Sequence, residues 1–168
     1  VPQGNAEAKN LLHSSAKQGY AKAQYHIGAM YYRGKGVTKS YSEAVKWLSK
    51  AAKQGNAEAQ FVLALIYDTG NDQPRNCPEA ERLYLQSAEQ GLAVAQYYLG
   101  VMYRFGRGCS ISYTKALKWF QKAAEQGHPQ AQNHLADLYY SGLGVSQSYE
   151  NAAHWFRKSA EQGIESAQ

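Results

Sequence analysis

Apolar side chains recur along this chain at the spacing of a helix face. Ala23, Ile27, Met30, Tyr31 and Gly34 fall at i, i+4, i+7, i+8 and i+11, with polar residues between them. Ala44, Trp47, Leu48, Ala51 and Ala52 form a second helical stripe. Gln54-Gly55 then reads as a stop, since glycine just past the last turn commonly ends a helix. Between the stripes lies Gly34-Lys35-Gly36-Val37, a turn rich in residues that accept positive φ. The pattern predicts two helices joined by a short loop.

The same pattern returns down the chain. Gln-Gly ends at Gly19, Gly55, Gly91, Gly127 and Gly163, an interval of 36 residues each time. Ala-Gln follows four residues later in every copy, up to Ala167-Gln168. Tyr31, Tyr67, Tyr103 and Tyr139 form one column, and Ala44, Ala80, Ala116 and Ala152 another. A bulky residue follows at Trp47, Leu83, Trp119 and Trp155, and small residues recur at Gly28, Ala64, Gly100 and Ala136, where helices are expected to approach closely. One helix pair cannot bury its own apolar face, so the copies must stack. We read one domain of four repeats at 20–55, 56–91, 92–127 and 128–163, with partial units at 1–19 and 164–168. An array that opens in a second helix and closes in a first is expected of a piece of a longer protein, or of a mature chain trimmed at both ends.

The consensus is A-x-x-Q-G-x-x-x-A-Q-x-x-L-G-x-M-Y-x-x-G-x-G-V-x-x-S-Y-x-x-A-x-x-W. Repeat three carries it as Ala95-Gln96, Leu99-Gly100, Met102-Tyr103, Gly106-x-Gly108, Ala116 and Trp119. This resembles the Sel1-like repeat, a relative of the tetratricopeptide array, over nearly the whole chain. The resemblance implies an all-α, right-handed αα superhelical solenoid whose first helices line a concave surface. It also implies an adaptor, receptor or scaffold rather than a catalyst, in a bacterium, with periplasm or secretion favoured over cytoplasm. Some such proteins act in host interaction or protect against secreted toxins. Others carry a cysteine pair in each unit, seven residues apart, which this chain lacks. Cys77 and Cys109 sit four columns apart in adjacent inter-helix regions, and both a disulfide and two free thiols stay open.

Repeat two departs from the others, reading Gly70-Asn71-Asp72-Gln73-Pro74-Arg75-Asn76-Cys77-Pro78 where they have Gly-x-Gly. Asp72, Cys77 and Leu83 replace the second glycine, the tyrosine and the tryptophan. The unit length is kept, which predicts the same hairpin with a differently shaped loop.

Composition removes several classes. Two cysteines in 168 residues cannot staple a disulfide scaffold. The longest apolar runs, Phe61 to Tyr67 and Tyr97 to Tyr103, fall far short of the ~20 residues of a membrane-spanning helix. At 44% hydrophobic and 18% charged, the chain is too apolar to be disordered.

Columns that stay constant between repeats are those packing dictates, and the variable ones are expected to face outward. On the first helices these form a stripe: Tyr25, His26, Ala29, Tyr32 and Arg33, then Phe61, Val62, Leu65 and Asp68. Tyr97, Tyr98, Val101, Arg104 and Phe105 continue it, followed by His134, Asp137 and Tyr140. The apolar and aromatic members of the middle two repeats predict a partner-binding patch on a surface helix row. The alternative is that some of them pack between adjacent units.

Charge varies along the array. Residues 1–56 hold 9 basic and 2 acidic side chains, 57–92 hold 2 and 6, 93–128 hold 5 and 1, and 129–168 hold 2 and 4. Alternating blocks argue against a groove that tracks phosphates, and suit a protein partner of complementary pattern. Catalytic patterns are weak. Ser14-x-x-Lys17 and Ser112-x-x-Lys115 match the S-x-x-K of penicillin-binding enzymes, but the companion S-D-N and K-T-G motifs are absent. His128, His134 and Asp137 lack the further ligands a metal needs, and Asp68 and Asp72 read as solvated helix-end and loop residues. The expectation is a monomeric, non-catalytic interaction module without metal or cofactor. Its partner is a protein, an effector or an envelope component, with no nucleic acid and no membrane span. The alternatives are an immunity protein against a toxic effector enzyme and, more remotely, a penicillin-directed hydrolase.

Overall fold

The structure is a computed structural model and describes residues 3–71 and 74–163, with side chains from Asn10 onward. Asp72 and the partial unit 164–168, including Ala167-Gln168, lie outside the described residues. Among those described there are nine helices and no strand. They are α1 (Gln3–Lys17), α2 (Ala21–Arg33), α3 (Tyr41–Lys53), α4 (Ala57–Thr69), α5 (Cys77–Glu89), α6 (Ala93–Phe105), α7 (Tyr113–Glu125), α8 (Pro129–Ser141) and α9 (Tyr149–Ala160). The chain divides into two compact units, Val1–Ser87 and Ala88–Gln168, and the boundary falls in the last turn of α5.

The repeated residues account for the hairpin. Each first helix ends on a glycine in the left-handed region, at Gly34, Gly70, Gly106 and Gly142, with φ between 64° and 71°. Each second helix starts on a residue whose side-chain oxygen accepts an N–H three positions on: Ser40 from Glu43, Asn76 from Glu79, Ser112 from Lys115 and Ser148 from Asn151. The backbone N–H groups of these caps donate to the carbonyls of the tyrosine column, Ser40 to Tyr31 at 3.1 Å and Asn76 to Tyr67 at 3.0 Å. Repeat two therefore closes the same hairpin, with Asn76 in the serine's role.

The Ala-Gln pair of each copy has a packing reason. Ala23, Ala59, Ala95 and Ala131 are buried, and so are Gln24, Gln60, Gln96 and Gln132. In the first unit Gln24 Nε2 donates to the Ala16 carbonyl at 3.1 Å, while its Oε1 accepts from Gln54 Nε2 at 2.8 Å. The second unit repeats this as Gln96 to Ala88 with Gln126 to Gln96, and as Gln132 to Ala124 with Gln162 to Gln132. Each glutamine thus stitches the helix before it to the helix after it. A buried amide needs such partners, because leaving one unmade costs about 1–3 kcal/mol.

Small residues set the spacing inside each hairpin. A Cβ on Gly28 would lie 2.6 Å from Leu48 Cγ, and one on Gly100 would lie 2.7 Å from the Phe120 ring. Leu48 and Phe120 are fully buried, so these helix pairs close on the absence of a side chain.

Candidate functional site

In the second unit the variable stripe comes together as a cluster. Tyr97, Tyr98, Arg104 and Phe105 come from α6, and His134 and Asp137 from α8. Arg104 is the hub. Its NH1 donates to His134 Nδ1 at 2.6 Å, and NH1 and NH2 each lie 3.3 Å from Asp137 Oδ2. Its guanidinium carbon stands 5.2 Å from the centroid of Phe105. Arginine only donates, so Nδ1 of His134 must hold a lone pair and the neutral ring carries its proton on Nε2.

Aromatic rings wall this hub. His134 stacks on Phe120 at 5.0 Å and on Tyr97 at 5.8 Å, and meets Phe105 edge-on at 6.1 Å. Tyr97 also stacks on His128 at 4.6 Å and meets Tyr98 edge-on at 5.3 Å. Burial drives the His134 pKa down to about 4, the neighbouring Arg104 charge adds to the drop, and Asp137 opposes it. Burial also lowers His128 and raises the Tyr97 phenol. Arg104 is only 17% exposed, whereas Phe105 is 54% exposed and stands at the rim. The cluster is a fixed, neutral-imidazole platform with one charged centre and an exposed ring. The lone pair of His134 and the carboxylate of Asp137 both meet Arg104.

His128 and Phe120 belong to this cluster although neither was in the predicted stripe. His128 sits in the N-cap column and accepts the Ala131 N–H through Nδ1 at 3.3 Å. Neither residue carries a sequence signal for the cluster, since His128 sits in the N-cap column and Phe120 in a packing column.

The first unit treats the same columns differently. Val62, predicted to lie on the exposed stripe, is only 5% exposed, and Ala29 is 7% exposed. The reason is that α2 and α4 touch each other directly in this unit, which encloses short side chains between first helices. Phe61 and Leu65 are half-buried, with Phe61 against Tyr84 at 6.0 Å. Asp68, predicted to be solvated, is 2% exposed: Arg75 donates through Nε to its carbonyl at 2.7 Å and pairs with its carboxylate at 3.3 Å. That arginine from the irregular loop ties down the end of α4. Tyr25 lies beside His26, Tyr32 meets Tyr41 edge-on at 5.9 Å, and Arg33 is exposed. In the second unit Val101 is half-buried, and Tyr140 is 57% exposed against Tyr149 at 5.4 Å.

The S-x-x-K matches have structural employment. Ser112 caps α7, and Lys115 Nζ lies 4.9 Å over the Tyr103 ring. Ser14 Oγ accepts from Gln18 on an exposed helix face. No disulfide joins Cys77 and Cys109, and Cys109 Sγ donates to the Met102 carbonyl at 3.6 Å. Among the described residues, no helix is long and apolar enough to cross a membrane.

Comparison with known proteins agrees with this architecture. The family model described as Sel1 repeat matches residues 1–20, 21–56, 57–92, 93–128 and 129–164. A protective antigen of uropathogenic Escherichia coli strains, displaying an SLR fold, is 39% identical with a TM-score of 0.88, over 92% of this chain and 33% of that one. A Sel1 repeat protein from Oxalobacter formigenes is 30% identical with a TM-score of 0.87, over 96% of this chain and 66% of that one. The chain thus spans about a third of the first relative's length and about two thirds of the second's. An immunity protein from Pseudomonas aeruginosa, at 18% identity and a TM-score of 0.53 over 95% of this chain and 75% of that one, shares the fold alone. No curated protein sequence matches the chain.

Proposed function

The chain belongs to the Sel1 repeat family, and we propose that it binds a protein partner on the first-helix face of its second unit, as an adaptor or scaffold. Sel1 repeat proteins generally mediate protein–protein interaction. The observation that carries the finer reading is Arg104, held at once by His134, Asp137 and the Phe105 ring. Arginine and aromatic residues are the usual interface anchors, and here the surrounding stack already fixes their rotamers. Little side-chain entropy remains to be lost when a partner docks. Exposed Phe105 and Tyr140 supply apolar contact beside a charged centre. Of the S-x-x-K matches, Ser112 is used as a helix cap, Ser14 in a surface hydrogen bond and Lys115 in a cation–π contact, which supports a non-catalytic reading.

The test is a capture experiment from native lysate with the wild-type chain and the double variant Tyr98→Ser/Phe105→Ser, after both show the same helical circular dichroism. A protein retained by the wild type should be lost or bound at least roughly tenfold more weakly by the variant. Equal retention places the interface elsewhere. If the captured protein is a toxic enzyme whose activity the chain inhibits, the immunity reading replaces the adaptor.

A further inference from the structure

The first repeat gathers positive charge that the later ones do not. Among residues 10–56 eight side chains are basic and Glu43 alone is acidic, and all eight cations are exposed. Lys46, Lys50 and Lys53 fall at i, i+4 and i+7, so they share the outer stripe of α3. The end of that helix is tied to the α1–α2 turn, because Gln54 Nε2 donates to the Gly19 carbonyl at 2.9 Å. This bond sets the end of the lysine stripe beside the turn that carries Lys17, Tyr20 and Lys22, where Tyr20 is 63% exposed. The result is a band of exposed cations running along α3 to that turn.

Few of these charges are neutralised within the protein. Among the described residues, Glu43 is the carboxylate within ion-pair distance of the stripe, 3.4 Å from Lys46, and both groups of that pair are exposed. Such a surface pair is weak. Lys50 is held by a ring instead: its Nζ lies 4.8 Å over Trp47, so the ammonium stays at the surface above a buried indole. The fold does not demand the band. The column of Lys17 and Lys53 holds Glu89, Glu125 and Glu161 in the later copies, and that of Lys22 holds Glu58.

The residue type points to the occupant. Seven of the eight cations are lysine. Protein interfaces are depleted in lysine and enriched in arginine, and recognition of single phosphates or carboxylates favours arginine's two-pronged fork. Lysines on flexible stems, spread over an open helix face with an exposed tyrosine at its edge, suit a diffuse sheet of anions, where each adds attraction without a fixed partner. We propose that this band docks the chain peripherally on the surface of a bilayer rich in anionic lipid. The surface lies within the first unit, uses no residue of the Arg104 cluster and does not depend on the protein-binding reading above.

The experiment is co-sedimentation of the full chain with vesicles of phosphatidylcholine, alone or with about a third phosphatidylglycerol, at roughly 0.1 M salt. The wild type is compared with Lys46→Gln/Lys50→Gln/Lys53→Gln and with Lys115→Gln/Lys118→Gln/Lys122→Gln, which removes the same charge from α7, after all show the same helical circular dichroism. The wild type should sediment with the anionic vesicles and not with the neutral ones. The α3 variant should bind at least roughly tenfold more weakly, and the α7 variant within roughly twofold of the wild type. Raising the salt to roughly 0.5 M should release the wild type. No binding to anionic vesicles, equal binding to neutral ones, retention at high salt, or equal losses in the two variants overturns the proposal. Polyglutamate and duplex DNA, each added at the same anionic charge as the lipid, should leave the chain on the vesicles. Release by either overturns the bilayer as the occupant, in favour of an acidic protein or a nucleic acid. No substitution touches α6 or α8, so failure here and failure of the first-helix interface are read separately.

Discussion

One column of the repeat takes different roles from copy to copy in the two units: His26, which is exposed, and Val62 occupy it in the first, and Tyr98 and His134 in the second. Val62 is core at 5% exposure, whereas His134 is tied to Arg104 and Tyr98 is half-buried against Tyr97. The helix frame around all four is the same, with left-handed glycine ends, capped second helices and buried glutamines. The difference teaches that constant columns set where a side chain stands, while its own size and polarity decide whether that place becomes core or surface chemistry. A short branched apolar group there is enclosed, and long polar or aromatic groups reach out and build a network.

The sharpest way to break this contrast is to place the same charge in both units. Val62→Asp puts a carboxylate in a buried place that holds an apolar side chain, a cost of roughly 3–5 kcal/mol. Tyr98→Asp leaves its carboxylate within reach of water and should cost only about 1 kcal/mol. Urea unfolding midpoints of the two variants measure the gap. Equal midpoints would mean that the column is surface, or core, in both units.

A smaller effect comes from the helix contact that supports the cluster. Gly100→Ala adds a Cβ 2.7 Å from the buried Phe120 ring, which also stacks on His134. Overpacking of this kind costs about 1–3 kcal/mol, and a shift of the ring disturbs its stack on His134. The variant should therefore lose stability and weaken partner capture together. In repeat four the same two columns hold Ala136 and Phe156, and Phe156 is half-buried where Phe120 is fully enclosed, so the cost belongs to the enclosure of the Phe120 ring rather than to the helix.

Most of the frame was legible because it repeats. Thirty-six-residue spacing and the glycine ends are local signals seen four times over, and noise does not survive that averaging. The irregular loop of repeat two was legible as the same hairpin because its length was kept. The candidate site was only half legible. Periodicity placed Tyr97, Tyr98, Arg104, Phe105, His134 and Asp137 on one face, but nothing along the chain shows that Arg104 reaches His134 and Asp137, 30 and 33 residues on. Val62 and Asp68 were misplaced for a related reason. Their burial depends on the close approach of α2 and α4 and on Arg75 folding back from the loop, both of which are tertiary. A pattern within one helix does not report them.

The smallest expected effect is also the most specific to the second unit. His134 is held neutral down to about pH 4, against an ordinary value of 6.5, first by burial and then by Arg104. Between those values the unfolded chain binds a proton that the folded chain refuses. Stability due to this group is therefore complete above about pH 6.5 and is lost as the pH falls toward 4, where the folded form at last accepts the proton. His128 shifts in the same direction and stays in place in a His134→Gln variant, so the difference between the two proteins isolates His134. Thermal unfolding from pH 7.5 down to 4 should show the wild type's advantage over His134→Gln narrowing as acid is added. An imidazole resonance of His134 titrating near 6.5 in the folded chain, with no narrowing, would show that Arg104 does not hold that ring. The contrast between the two units would then reduce to side-chain size alone.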